Sequence, residues 1–227
     1  MKVNASKQQP VSHPRLSKEI LTTTTATVKN SLRKSGDSAV LIPLVEMEDR
    51  TPWIIMTHRS YTLRAHRGEI CFPGGKVEED ESSEKAALRE AHEEIGLDSS
   101  TVKVLTPIRH MLTRRLDSKV TPVVGIVRRE QLPNLKPIIQ EVQCIYIIPL
   151  NELYLSHHYT SFRYGKISYK LPVFFTKKYR ILSKIQNAYV DPENCLRIWG
   201  LSAAILNQLL IHLLPEELYK RDSKMPY

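Results

Sequence analysis

The 227 residues carry 33 Lys and Arg against 24 Asp and Glu, a formal net charge of +9, and 41% of the side chains are apolar. That length and apolar share suit one domain with a sizeable core, and no apolar run approaches the roughly 18 residues of a membrane-spanning helix. Cys71, Cys144 and Cys195 are odd in number, far apart and without CxxC spacing, which argues against a disulfide framework or a zinc site and leaves reduced thiols as the expectation.

Residues 1–38 are basic, with Glu19 and Asp37 as their only acids, and include the polar run TTTTAT. This composition is similar to a mitochondrial transit peptide. Leu16, Ile20, Leu21, Val28 and Leu32 keep roughly helical spacing, so a helix packed on the domain is an equal alternative. The opening MKVNASKQQP lacks the apolar core of a secretory signal, so an intracellular protein is expected, in mitochondria or the cytosol. Ser223-Lys224-Met225 is followed by Pro226-Tyr227, which leaves no C-terminal peroxisomal signal. The expected division is a basic segment at 1–38, a domain at 39–215 and a tail at 216–227.

Ala39–Val45 and Trp53–Thr57 are apolar, β-branched-rich runs on either side of the acidic turn EMEDRT, and read as paired strands. The second delivers Arg59, Arg64, His66 and Arg67 into a loop, and arginine suits phosphate because its planar fork donates two hydrogen bonds at once. His58, His66 and His92 lack metal-ligand spacing.

Residues 74–100 hold 3 basic and 9 acidic side chains, a net of −6 within a basic chain. From Ser83 to Ile95 the pattern is helical, with Leu88, Ala91 and Ile95 as one apolar stripe. Ser82 and Ser83 supply N-cap chemistry, Glu84 favours the first turn, and Gly96 supplies the stop. Glu90, Glu93 and Glu94 fall opposite the stripe. Like charges at these spacings cost about 0.2–0.5 kcal/mol per pair, so the face is either well solvated or neutralised by a divalent cation such as Mg²⁺ or Mn²⁺.

Gly75, five residues, Glu81, seven residues, Arg89-Glu90-Ala91, one residue, Glu93-Glu94, one residue, Gly96-Leu97: this spacing resembles the Nudix box, with Ala91 where the pattern prefers a bulkier aliphatic residue. The resemblance implies an α/β fold, an α/β/α sandwich with a mixed β-sheet and a loop-helix-loop that holds divalent metals against a diphosphate. It implies metal ligands at Glu90, Glu93 and Glu94, and pairing of Arg89 with Glu81 to hold the loop against the helix. Upstream, Arg59-Ser60, Arg64, Gly68 and Phe72-Pro73-Gly74-Gly75 stand at the spacings of the coenzyme A diphosphatase branch. Glu141-Val142, the following IYIIPL and Trp199-Gly200-Leu201 resemble that branch as well.

Beyond the box, Val102–Ile108, Val120–Val127 and Cys144–Ile148 read as strands bounded by Pro, Asp or Asn. Pro133-Asn134 and Pro137 mark the loop leading to Glu141. By resemblance Glu141 is a base or an additional metal ligand; relatives can carry a second acid where this chain has Cys144, so the general base stays open among Glu93, Glu94 and Glu141. Phe162–Tyr164 and Ile167–Leu171 flank Gly165-Lys166 at hairpin spacing, and Val173–Phe175 continues after Pro172. Gly200–Leu214 reads as a buried amphipathic helix stopped at Pro215.

The basic residues outside the box are scattered without an aromatic platform, which favours a small anionic substrate over nucleic acid. The resemblance implies metal-dependent hydrolysis of the diphosphate of coenzyme A or an acyl-CoA, with substrate bound by Arg59, Arg64, Gly74 and Gly75. The rivals are a Nudix hydrolase for NADH, ADP-ribose or capped RNA, and a binding module that has lost its chemistry. Oligomeric state is not legible.

Overall fold

The computed structural model describes residues 36–113, 118–164, 167–190 and 193–219. Most of the N-terminal basic segment, the predicted hairpin turn at Gly165-Lys166 and the Ser223–Tyr227 stretch lie outside them.

Among the described residues, nine strands form the main sheet. Its continuous order is β11 (Arg180–Lys184), β8 (Val142–Pro149), β2 (Pro52–Arg59), β1 (Ser38–Glu46), β7 (Lys119–Val127) and β5 (Val102–Pro107). Three short strands attach to this path: β3 (Ile70–Cys71) on β2, β4 (Gly74–Lys76) on β1 and β6 (Met111–Leu112) on β7. The β1–β7 pair is parallel and the others are antiparallel, giving the expected mixed sheet. Asp37 fixes the start of the parallel pair, since its carboxylate accepts from Lys119 N at 2.9 Å.

Strand β1 is a nearly unbroken apolar run because both of its faces are covered. Ala39, Leu41 and Val45 join Ile55, Val123, Val127, Ile145 and Ile147 under the helix α1 (Ser83–Ile95). Ile42 and Leu44 face the opposite way, with Ile54, Met56, Val124, Tyr146 and Ile148. That second face is covered by α2 (Leu150–Leu155), α3 (Gly200–Leu213) and a three-stranded antiparallel sheet of β12 (Leu196–Ile198), β10 (Ile167–Thr176) and β9 (His157–Tyr164). Each fully buried Leu or Ile in these two cores contributes about 1.5–3 kcal/mol.

The predicted strands are all present, within two residues at each end except β9, which starts five residues before the predicted Phe162. The short elements were not foreseen: β3, β4, β6, β11, β12 and α2 are two to six residues long, too short to display a period. The last predicted helix is found as Gly200–Leu213. Packing continues past it, because Tyr219 is buried and its hydroxyl donates to Asn207 Oδ1 at 2.7 Å. No helix among the described residues is long and apolar enough to cross a membrane.

Candidate active site

Helix α1 begins and ends where its caps dictate. Ser82 is extended and its Oγ accepts from Lys85 N at 3.2 Å, while Gly96 takes the left-handed conformation (φ 67°) that closes the last turn. The buried stripe, however, is Ala86, Ala87, Ala91 and Ile95, with Leu88 only partly covered. Ala87 and Ala91 precede Glu94 by seven and three residues, so Glu94 turns inward with them. The three box carboxylates therefore do not share one exposed face. Side-chain exposure is 2% for Glu94, 15% for Glu90 and 57% for Glu93.

Two glycines let the preceding loop close on these carboxylates. A Cβ on Gly74 would meet Ala39 O at 2.3 Å, and one on Gly75 would meet the Glu90 carboxylate at 2.4 Å. Gly74 N donates to Glu94 Oε2 at 3.2 Å. Arg89 binds Glu81 through both carboxylate oxygens, Nε to Oε1 and Nη2 to Oε2, each at 3.0 Å, and reaches Lys76 O at 2.9 Å. Its Nη1 contacts Glu90 at 3.1 Å and Glu93 at 3.3 Å. One guanidinium thus pins the loop to the helix and offsets the crowding of acids.

Two further segments converge here. Arg59, at the end of β2, brings Nη1 to 3.6 Å from Glu94 Oε1. Glu141 is tied to the next residue, since its carbonyl accepts from Ser60 N at 2.8 Å. Its charge lies close enough to raise the pKa of both Glu90 and Glu94. Burial is the larger cause in each case: it pushes Glu94 up to about 8 against the pull of Arg59 and Gly74 N, and raises Glu90 against Arg89. Burial also pushes the neighbouring Cys71 thiol up to about 11, which keeps it neutral.

This donor set is carboxylate oxygen in an acid-crowded niche, which fits a hard divalent cation. Among the described residues no three His, Cys, Asp or Glu side chains already close on one point. Mg²⁺ characteristically takes one or two carboxylates and completes its shell with water and phosphate oxygens.

The remaining predicted residues are exposed or have partners other than the box carboxylates. Arg64 and Arg67 are exposed, and His66 faces Glu69 with Nδ1 at 3.2 Å from each carboxylate oxygen. His58 sits 3.3 Å from Tyr146 Oη, and His92 lies 3.2 Å from Leu97 O. Cys144 is fully buried in the core opposite α1, so its position offers the site nothing. Sequence reasoning passed over Gln143, whose Nε2 donates to Arg59 O at 3.3 Å. The available signal was a lone amide inside an apolar strand, which has to find a partner when buried.

The NUDIX domain family matches residues 36–164. Nudix hydrolase 3 of Caenorhabditis elegans is 38% identical over 185 residues, covering 81% of this chain and 75% of that protein. Nudix hydrolase 15, mitochondrial, of Arabidopsis thaliana is 43% identical over 123 residues, 54% of this chain, which spans only 42% of that protein. The mouse mitochondrial coenzyme A diphosphatase NUDT8 is 29% identical over 214 residues, 92% of this chain and 91% of that protein. With the box, the sandwich and these matches in agreement, the chain belongs to the Nudix hydrolase family, enzymes that cleave diphosphate bonds.

Proposed function

We propose that this enzyme hydrolyses the diphosphate of coenzyme A or its thioesters, giving 3′,5′-ADP and 4′-phosphopantetheine or its acyl form. The observation that carries the reading is the seating of the 59–75 segment on the box, with Arg59 3.6 Å from Glu94 and Gly74 N bonded to the same carboxylate. That segment holds the spacing of the coenzyme A branch, and the resemblance to the mouse coenzyme A diphosphatase over nearly the whole chain supports it.

Glu90, Glu93 and Glu94 would hold Mg²⁺ or Mn²⁺. When bound, such a metal would neutralise charge at the diphosphate and acidify water. Arg59, already aimed at the carboxylates, orients a phosphate oxygen, and exposed Arg64 is available to the ribose 3′-phosphate. Gly74 lies against β1 and Gly75 against the Glu90 carboxylate, each too close for a side chain of its own, and both are proposed to border the bound diphosphate. By resemblance Glu141 would serve as the base that takes a proton from water, and its electrostatic influence on Glu90 and Glu94 supports that role. Glu81 and Arg89 keep the loop on the helix, and Gly96 ends it.

The test is phosphate-coupled turnover of coenzyme A, with and without Mg²⁺ or Mn²⁺, beside NADH, ADP-ribose and capped RNA. Metal-dependent turnover of coenzyme A above the others is expected. Preference for one of the others redirects the substrate assignment, and turnover of none returns the chain to a binding role. By similarity to the mitochondrial relatives and from its composition, the basic segment is proposed to direct the protein to mitochondria.

A further inference from the structure

An aromatic corner forms between the loop that leaves β2 and the segment that follows β11. The rings of Tyr61 and Tyr189 meet edge to face, with centroids 5.9 Å apart and planes at 85°, yet the residues remain 47% and 50% exposed. Tyr61 lies against Gly68, where a Cβ would come within 2.5 Å of its ring, and His58 abuts it at 5.8 Å between centroids. Tyr61 is therefore built into the loop.

Gln143 ties it to the carboxylate site. The β2–β8 register shifts at this point, His58 facing Cys144 and Arg59 facing Val142, so Gln143 has no partner opposite it in the register. Bulges of this kind re-aim side chains beside functional sites. Its amide, 3% exposed, donates to Arg59 O at 3.3 Å and accepts from Tyr189 N at 3.1 Å. One side chain thus sets Tyr189 against the backbone of the residue whose guanidinium reaches Glu94. Arg59 and His58 point to opposite faces of β2, so corner and carboxylates flank the end of that strand.

We propose that the Tyr61–Tyr189 corner is the subsite for the flat base of the substrate's nucleotide half, adenine on the coenzyme A reading, on which this inference rests. A base stacked on one ring turns its electropositive edge to the face of the other, the arrangement aromatic pairs favour. The ribose then spans the strand end to the diphosphate at Glu90 and Glu94.

The test is calorimetric binding of ADP and of inorganic pyrophosphate, each with Mg²⁺, to the full chain and to Tyr61→Leu, Tyr189→Leu, Tyr61→Phe and Tyr189→Phe. ADP should bind about tenfold or more weakly to the leucine variants and near-normally to the phenylalanine variants, with pyrophosphate affinity unchanged in all four. Unchanged ADP affinity in the leucine variants, or parallel loss of ADP and pyrophosphate, overturns the proposal. Ring-dependent ADP binding in a protein that hydrolyses no coenzyme A would keep the base subsite and remove the coenzyme A reading; persistent coenzyme A turnover without ring dependence would do the reverse.

Discussion

Glu94 combines two demands that conflict in the absence of metal. It is buried and its pKa is pushed up to about 8, so the folded protein holds a proton there that the unfolded chain releases near pH 4.5. A raised folded-state pKa means that this stabilisation is complete below about pH 4.5 and is lost as pH rises through about 8. The melting temperature of the metal-free protein should therefore fall between pH 5 and 9 relative to Glu94→Gln, whose neutral amide needs no proton. Thermal melts of both proteins in chelator across that range check it, and parallel profiles would show that Glu94 does not govern the dependence. The same variant should lower kcat by about 10²-fold or more, because a metal centre supplies several kcal/mol to the transition state. Glu93→Gln should also lower kcat, but through an exposed side chain and with little change in melting temperature; normal turnover at limiting Mg²⁺ would remove Glu93 from the metal site.

At the scale of elements, the loop-helix-loop depends on two adjacent glycines that should fail in different ways. An alanine at 74 forces its methyl onto the backbone of β1, with Ala39 O at 2.3 Å and Val40 Cα at 2.5 Å, and backbone within a sheet cannot yield cheaply. The three atoms nearest to an alanine methyl at 75 all belong to the Glu90 carboxylate, the far end of a side chain. Gly74→Ala should lower the melting temperature by several degrees, on the order of 1–3 kcal/mol as overpacking does. Gly75→Ala should leave stability nearly intact and raise the Mg²⁺ concentration needed for half-maximal activity. Differential scanning fluorimetry with metal titration separates the two, and equal thermal losses would show that the loop, not Glu90, yields at Gly75.

For the whole molecule, the fold is closed at its far end by the segment after α3. Asn207 is buried, its Nδ2 has no hydrogen-bond partner among the described residues, and its Oδ1 accepts from Tyr219. Tyr219→Phe would leave that oxygen unsatisfied as well, and should destabilise the protein by about 1–3 kcal/mol in urea unfolding. A loss near zero would mean that the segment packs through its ring alone. Removing residues 1–30 should preserve kcat/KM, since the match to the NUDIX domain family begins at residue 36, and should abolish mitochondrial fluorescence of a tagged chain. Identical cytosolic patterns for both forms would sink the targeting assignment.

The sequence by itself determined the elements whose period and caps are local. Ser82 and Gly96 delimit α1, and alternating or continuous apolar runs mark β1, β2, β5, β7 and β8, because such patterns are written within a dozen residues. It also supplied the box spacing that leads to Glu90, Glu93, Glu94, Arg89 and Glu81. What it did not contain is which side of the helix the sheet would cover. Three alanines, too small to dominate a hydrophobic pattern, join Ile95 in the buried stripe and carry Glu94 inward, whereas Leu88, as large as Ile95, stays partly open. The approach of Arg59 to Glu94, the tether between Ser60 and Glu141, and the removal of Cys144 to the other face were likewise decided by tertiary structure. They depend on strand register and on one bulge at Gln143, and a one-residue shift in register exchanges the faces of a strand without altering its composition.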